Sequence, residues 1–242
     1  MDKRLDAAEV MGSPNGVAAR STVEAAHGAI RQDILDGTLA PGTKLRFEML
    51  RGRYHVGAST LREALTRLVG EALVTSEEQR GFRVATISLE DFADLTAMRK
   101  LLEVEAMRQS IRLGDDAWEA ALVAAFHRLS KVEEKLRDNP ERHRDEWEHR
   151  NREFHLALIA ACPSRWLKHM HALLYQQAER YRRVALGNPV VPRDIHAEHK
   201  ALHDAALERD VELACLLGAR HIDRTVAVLH RVLAASGTAR EA

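Results

Sequence analysis

Aromatic residues make up only 5% of this 242-residue chain, and cysteine occurs just twice. The shortage of aromatics argues against a sheet-rich fold, and the abundance of Ala, Leu, Arg and Glu favours helices. Cys162 and Cys215 fall in separate helical segments without metal-type spacing. That excludes a disulfide framework or a cysteine-zinc cluster and leaves two small buried hydrophobes in a reducing cytoplasm. No stretch approaches about 18 uninterrupted apolar residues, so no membrane-spanning helix is expected. The opening "MDKRLDAAEVMGSPNG" lacks the apolar core of a secretory signal. Residues 1–20 read as a mobile arm, and the location expected is the cytoplasm. Net charge is also missing: 36 Lys and Arg stand against 36 Asp and Glu. A wholly basic nucleic-acid coat is thereby excluded, whereas a local basic patch is not.

What is present divides into two grammars. Between 21 and 86 the segments are short and punctuated by glycine. "STVEAAHGAIRQDILDG" has a Ser/Thr start, apolar Val23, Ala26, Ile30 and Ile34, and a terminal Gly37, the signals of a capped helix. "TLAPGTKL" is a Pro-Gly turn and "FEMLRGRYH" a second short helix. In "ASTLREALTRLVGEAL" Leu61, Leu65 and Leu68 form an apolar stripe, and Thr60 with Glu63 fits a capping box. "LVTSEEQRGFRVAT" reads as a hairpin with a polar tip at Arg80 and Gly81. After "TISLED" helical periodicity takes over. Six helices are expected over about 88–112, 117–137, 142–161, 164–186, 193–208 and 210–234, an antiparallel bundle spanning 87–236.

Three helices and a hairpin describe a winged helix-turn-helix, in which one helix enters the major groove of DNA and the wing meets the backbone or minor groove. Ser59 and Thr60 place hydroxyls and free N–H groups at a helix start, where phosphate binds. Arg62 and Arg67 point away from the leucine stripe. From Lys44 to Arg83 eight Lys and Arg face five Glu, a local charge of +3. A solvated surface would look much the same by charge alone. Order and spacing decide. "G-x-x-x-PG-x-x-L", "REAL-x-x-L" and "G-x-x-V" occur in sequence across 21–86, which resembles the DNA-binding domain of GntR-family bacterial regulators. On that resemblance Arg62 is the arginine of the "REAL" element and Gly81 the wing-tip glycine. Ala58 departs from it by standing where the family usually carries a base-reading arginine.

In the bundle half, "NREFH" sets Asn151 and His155 one helical turn apart on one face. A metal in a bundle core needs further ligands from facing helices. "AEHKALHDAALERD" offers His199 and His203, and "LGARHIDRTVAVLH" offers His221 and His230. His199 and His221 each lie about ten residues from the "ERD" turn, at similar heights on neighbouring helices. With 13 histidines in the chain, ordinary buried or surface histidines remain the competing reading of this spacing.

The bundle resembles the FCD effector domain of the FadR-type GntR branch. The elements that carry this are "(D/N)-x-x-x-H", an "EH" pair followed by "ALERD", and a last histidine. The resemblance implies a divalent ion, zinc first and nickel or another metal as alternatives, held by His155, His199 and His221. Asn151 stands where many members have Asp and would be the weaker fourth ligand. It also implies a small carboxylate effector met by Arg99, with Arg180, Tyr181 and Arg183 as further candidates. Similarity to the carbon-starvation and glutarate repressors points to a dicarboxylate. The expected protein is a homodimeric repressor on an inverted-repeat operator. Two alternatives stand beside it: a metal-dependent hydrolase, against which no "HExxH" occurs, and a DNA-binding dimer whose bundle is purely structural.

Overall fold

A computed structural model describes residues 14–77, 81–185 and 193–235 of the chain. Two compact units meet between Thr86 and Ile87. Residues 1–13 of the expected arm and Arg80 at the hairpin tip lie outside the described residues.

The first unit holds α1 (Pro14–Leu35), β1 (Lys44–Leu45), α2 (Phe47–Tyr54), α3 (Ala58–Gly70), β2 (Val74–Glu77) and β3 (Gly81–Val84). Helix α1 starts before the expected Ser21, so residues 14–20 are helix rather than arm. Ile30, Leu50, Leu61, Ala64, Leu65 and Leu68 are fully buried and join the three helices. The leucine stripe therefore faces inward and leaves Arg62, Thr66 and Arg67 outside. The capping box placed at Thr60 is not formed. Extended Gly57 is the cap residue of α3, without a side-chain bond, and Glu63 instead pairs with Arg67 at 2.7 Å. The chain enters the helix earlier than the Thr/Glu spacing suggests. β2 and β3 form the expected antiparallel hairpin, with Val74 opposite Val84 and Glu77 opposite Gly81. Gly81 has φ +91°, a conformation that L side chains avoid. The short strand β1 was not foreseen; it adds to the other edge of β3, Leu45 opposite Phe82.

The second unit holds α4 (Leu89–Leu113), α5 (Asp116–Asp138), α6 (Pro140–Leu158), α7 (Arg165–Ala185), α8 (Ile195–Leu207) and α9 (Val211–Ala235). Ser88, Asp115, Asn139 and Asp194 cap α4, α5, α6 and α8 through side-chain oxygens that accept backbone N–H bonds. Helix α4 packs on α7 and α9, α5 packs on α6 and α8, and α8 on α9. Gly218 lets α4 and α9 approach closely, since a Cβ there would meet the Met107 methyl at 2.6 Å. The turn between α8 and α9 is pinned by Arg209, which adopts φ 59°. Its guanidinium donates to the carbonyls of Ile111 and Gly114 and pairs with Glu119 at 2.5 Å. These bonds tie the α8–α9 turn to the α4–α5 connection.

Candidate functional site

His155 on α6, His199 on α8 and His221 on α9 converge inside the second unit. One nitrogen from each ring lies within 4.8 Å of the others, and all three residues are buried. The ring centroids are 5.8 Å (155 to 199), 5.3 Å (155 to 221) and 4.7 Å (199 to 221) apart. Each ring is held from behind by a carboxylate. His155 Nδ1 meets Glu103 at 2.6 Å, His199 Nδ1 meets Glu133 at 2.6 Å and His221 Nδ1 meets Glu198 at 2.9 Å. With Nδ1–H donating, the lone pair remains on Nε2. The Nε2 atoms of His155 and His199 are buried without a partner, as is Asn151 Oδ1 one turn before His155. The Asn151 amide nitrogen donates to the Tyr175 hydroxyl at 2.8 Å, which turns its oxygen free. Buried polar atoms without partners are costly.

Electrostatics prepare the same arrangement. Burial pushes His155 down to about 4 despite the opposing pull of Glu103, so its ring is neutral near pH 7. Burial also holds His221 well below the usual imidazole range. Burial alone would raise Glu103, but Arg99, His155 and His171 hold its carboxyl well below the ordinary range. Burial is likewise outweighed at Glu133 by His199 and His196, which lower it, and at Glu198 by His221 and Arg193, which lower it. Neutral imidazoles backed by ionised carboxylates are the arrangement that metal-binding histidines adopt.

Sequence reasoning missed all three carboxylates. Glu198 is the glutamate of the "EH" pair, and as His199's immediate helical neighbour it faces a different way. In doing so it reaches His221 on the next helix. His171, fully buried and donating to Glu103 at 3.1 Å, was missed too. Of the candidates not assembled here, His203 stacks on Phe126 with ring centroids 4.3 Å apart, and His230 is exposed.

The effector candidates separate. Arg99 is buried, donates from Nε to Glu103 at 2.9 Å and lies over Tyr175 at 4.5 Å. It thus adjoins the carboxylate that holds His155. Tyr181 is not brought to the histidines: its ring stacks on Phe92 at 4.4 Å and its hydroxyl donates to Asp91 at 2.7 Å. Arg180 lies over Tyr181 at 5.9 Å in that same cluster. Arg183 pairs with Asp145 at 2.6 Å and Glu179 at 3.1 Å, an ordinary structural role. Tyr181, with Arg180 beside it, thus faces α4's start, whereas Arg183 reaches α6 through Asp145.

In the first unit Ser59 and Thr60 fall in the opening turn of α3, where backbone N–H groups are free to meet phosphate. Arg62 is exposed, without an ion pair among the described residues, its guanidinium 5.5 Å from the Phe47 ring centre. Arg67 differs, being drawn to both Glu24 at 3.1 Å and Glu63 at 2.7 Å. Lys44, Arg46 and Arg51 add exposed cations that charge counting had included but not singled out.

Comparison with known proteins agrees with both units. Residues 22–84 match the family described as bacterial regulatory proteins, gntR family, and residues 94–224 match the FCD domain. The chain is 44% identical over 212 residues to an uncharacterized HTH-type transcriptional regulator, BphR, of Paraburkholderia xenovorans (strain LB400), covering 88% of this chain and 86% of that one. It is 36% identical to the HTH-type transcriptional repressor GlaR of Escherichia coli (strain K12), covering 85% of this chain and 94% of that one. Among solved structures, E. coli McbR/YncC shares the fold, with a TM-score of 0.68 at 20% identity, covering 86% and 97% of the two chains.

Proposed function

Since the chain belongs to the GntR family of regulators and carries an FCD domain, we propose that this DNA-binding transcriptional regulator is a metal-dependent, carboxylate-responsive repressor. The observation that carries the reading is the triad of buried imidazoles, each anchored through Nδ1 by a carboxylate, with unpartnered Nε2 atoms on His155 and His199. His155, His199 and His221 would hold a divalent ion, with the Asn151 oxygen as a neutral fourth donor. Three imidazoles suit zinc, nickel, copper or iron, and zinc is the first choice. Such an ion supplies positive charge and open coordination positions for a carboxylate oxygen. Arg99 supports the effector reading. Its Nε is committed to Glu103, and its Nη groups carry no hydrogen bond among the described residues. A short dicarboxylate would present one end to the centre and the other to that guanidinium.

On DNA, α3 enters the major groove and Gly81 marks the wing. Two copies would meet the halves of an inverted repeat about one turn apart. Repression follows the name of the relative GlaR. An effector that favours a differently spaced dimer lowers operator affinity without any further machinery. The work is done in the cytoplasm, where the operator is; no described helix is long and apolar enough to cross a membrane.

The test is metal analysis of protein purified without added metal, beside His155→Ala, followed by operator gel shifts with C4 to C6 dicarboxylates. The expected result is about one ion per chain, lost in the variant, and release of DNA by one of the acids only in the metal-loaded protein. Metal-free protein that still responds to the acid would overturn the reading.

A further inference from the structure

A groove of about 460 Å³ runs between α8 and α9, with His221 itself in its lining. Its floor is made of small or aliphatic residues, among them Ala201 and Val228, which leave the space open. Its rim carries Arg193, Arg220, Arg224 and Arg231 against two carboxylates, Asp194 and Glu198. Those carboxylates are already committed. Glu198 serves His221, Arg193 and Arg224 together, and Asp194 caps α8. The other acidic residues of α9 turn toward α4, Asp223 to Lys100 and Glu212 to Arg108. Arg220 and Arg231 are exposed and have no ion pair among the described residues. Arg220 and Arg224 are like charges one turn apart, an arrangement that disfavours an isolated helix.

We propose that this groove, which backs onto His221 and Glu198 of the histidine centre, is an anion-binding site in its own right, taking a small elongated polyanion through Arg220, Arg224 and Arg231. The three side chains stand at i, i+4 and i+11 on one face of α9, spread over roughly 16 Å of helix axis. A single anion bridges Arg220 and Arg224, and a longer one reaches Arg231. The guanidinium fork fits carboxylate and phosphate oxygens in pairs. The volume lies within the range of small-molecule sites. Arg193 is locked in place by Glu198, the carbonyl of His221 and Thr225, so the groove has one fixed wall.

The experiment is calorimetric titration of the full chain with tricarballylate and, separately, with pyrophosphate, after metal removal by the uncharged chelator 1,10-phenanthroline. The expected result is one binding event per chain with at least one probe, and the tighter probe identifies the carboxylate or phosphate class. Arg220→Gln with Arg231→Gln should weaken it at least tenfold, and His155→Ala should leave it unchanged. Both arginines are exposed, and circular dichroism confirms that the variant folds; Arg231→Gln alone should still lose several-fold. No heat with either probe, equal binding by the double variant, or loss on His155→Ala would each overturn the proposal. The metal-free arm keeps this outcome independent of the histidine centre's own fate.

Discussion

Glu133 is the sharpest lever at the scale of single residues, because it grips His199 and His196 without any arginine depending on it. Glu133→Gln keeps the shape and removes the charge. Metal affinity, read by competition with a chromophoric chelator, should fall about 10–100-fold. Unchanged affinity would mean that the carboxylates are structural only. Arg62 and Arg67 make a second contrast. Arg62→Ala should weaken operator binding by about 1–3 kcal/mol and flatten its salt dependence by about one unit. Arg67→Ala should do less, since Glu24 and Glu63 already neutralise that cation. Gel shifts across a salt series separate the two.

At the scale of elements, α3 is anchored by its stripe. Leu65 is fully buried, and Leu65→Ala should destabilise the first unit by about 2–5 kcal/mol in a denaturant melt. Asp33 ties α1 to the end of α2, accepting from Arg53 and Tyr54 at 2.6 Å each. Burial would raise its carboxyl, but those two bonds and the Arg53 charge hold it below 3.8. Its contribution is therefore complete above that value and fades as pH drops through the folded-state value. Asp33→Asn should flatten the acid limb of the first unit's stability curve, and an unchanged limb would contradict this. Periodicity and caps made the helices of the bundle readable, and the Asn151/His155 spacing made one arm of the triad readable. Partners on other helices were not: nothing local in Glu103 or Glu133 announces the histidine it will meet. Likewise β1 is two residues long and exists only because β3 offers it an edge. Tyr181 misled because residue type alone says nothing about which way α7 turns it.

For the whole molecule, ion binding should act unequally on the two units. A ligand that binds only the folded state stabilises it by about 2.7 kcal/mol at a hundredfold excess over Kd. Calorimetry should show the transition of residues 87–242 rising with added zinc while that of the first unit stays in place. The imidazoles belong to α6, α8 and α9, and the carboxylates behind them to α4, α5 and α8. A single ion would thus rivet five helices through histidine–carboxylate relays rather than clip one loop. Amide protons in all five should then slow together in deuterium exchange, as one cooperative body.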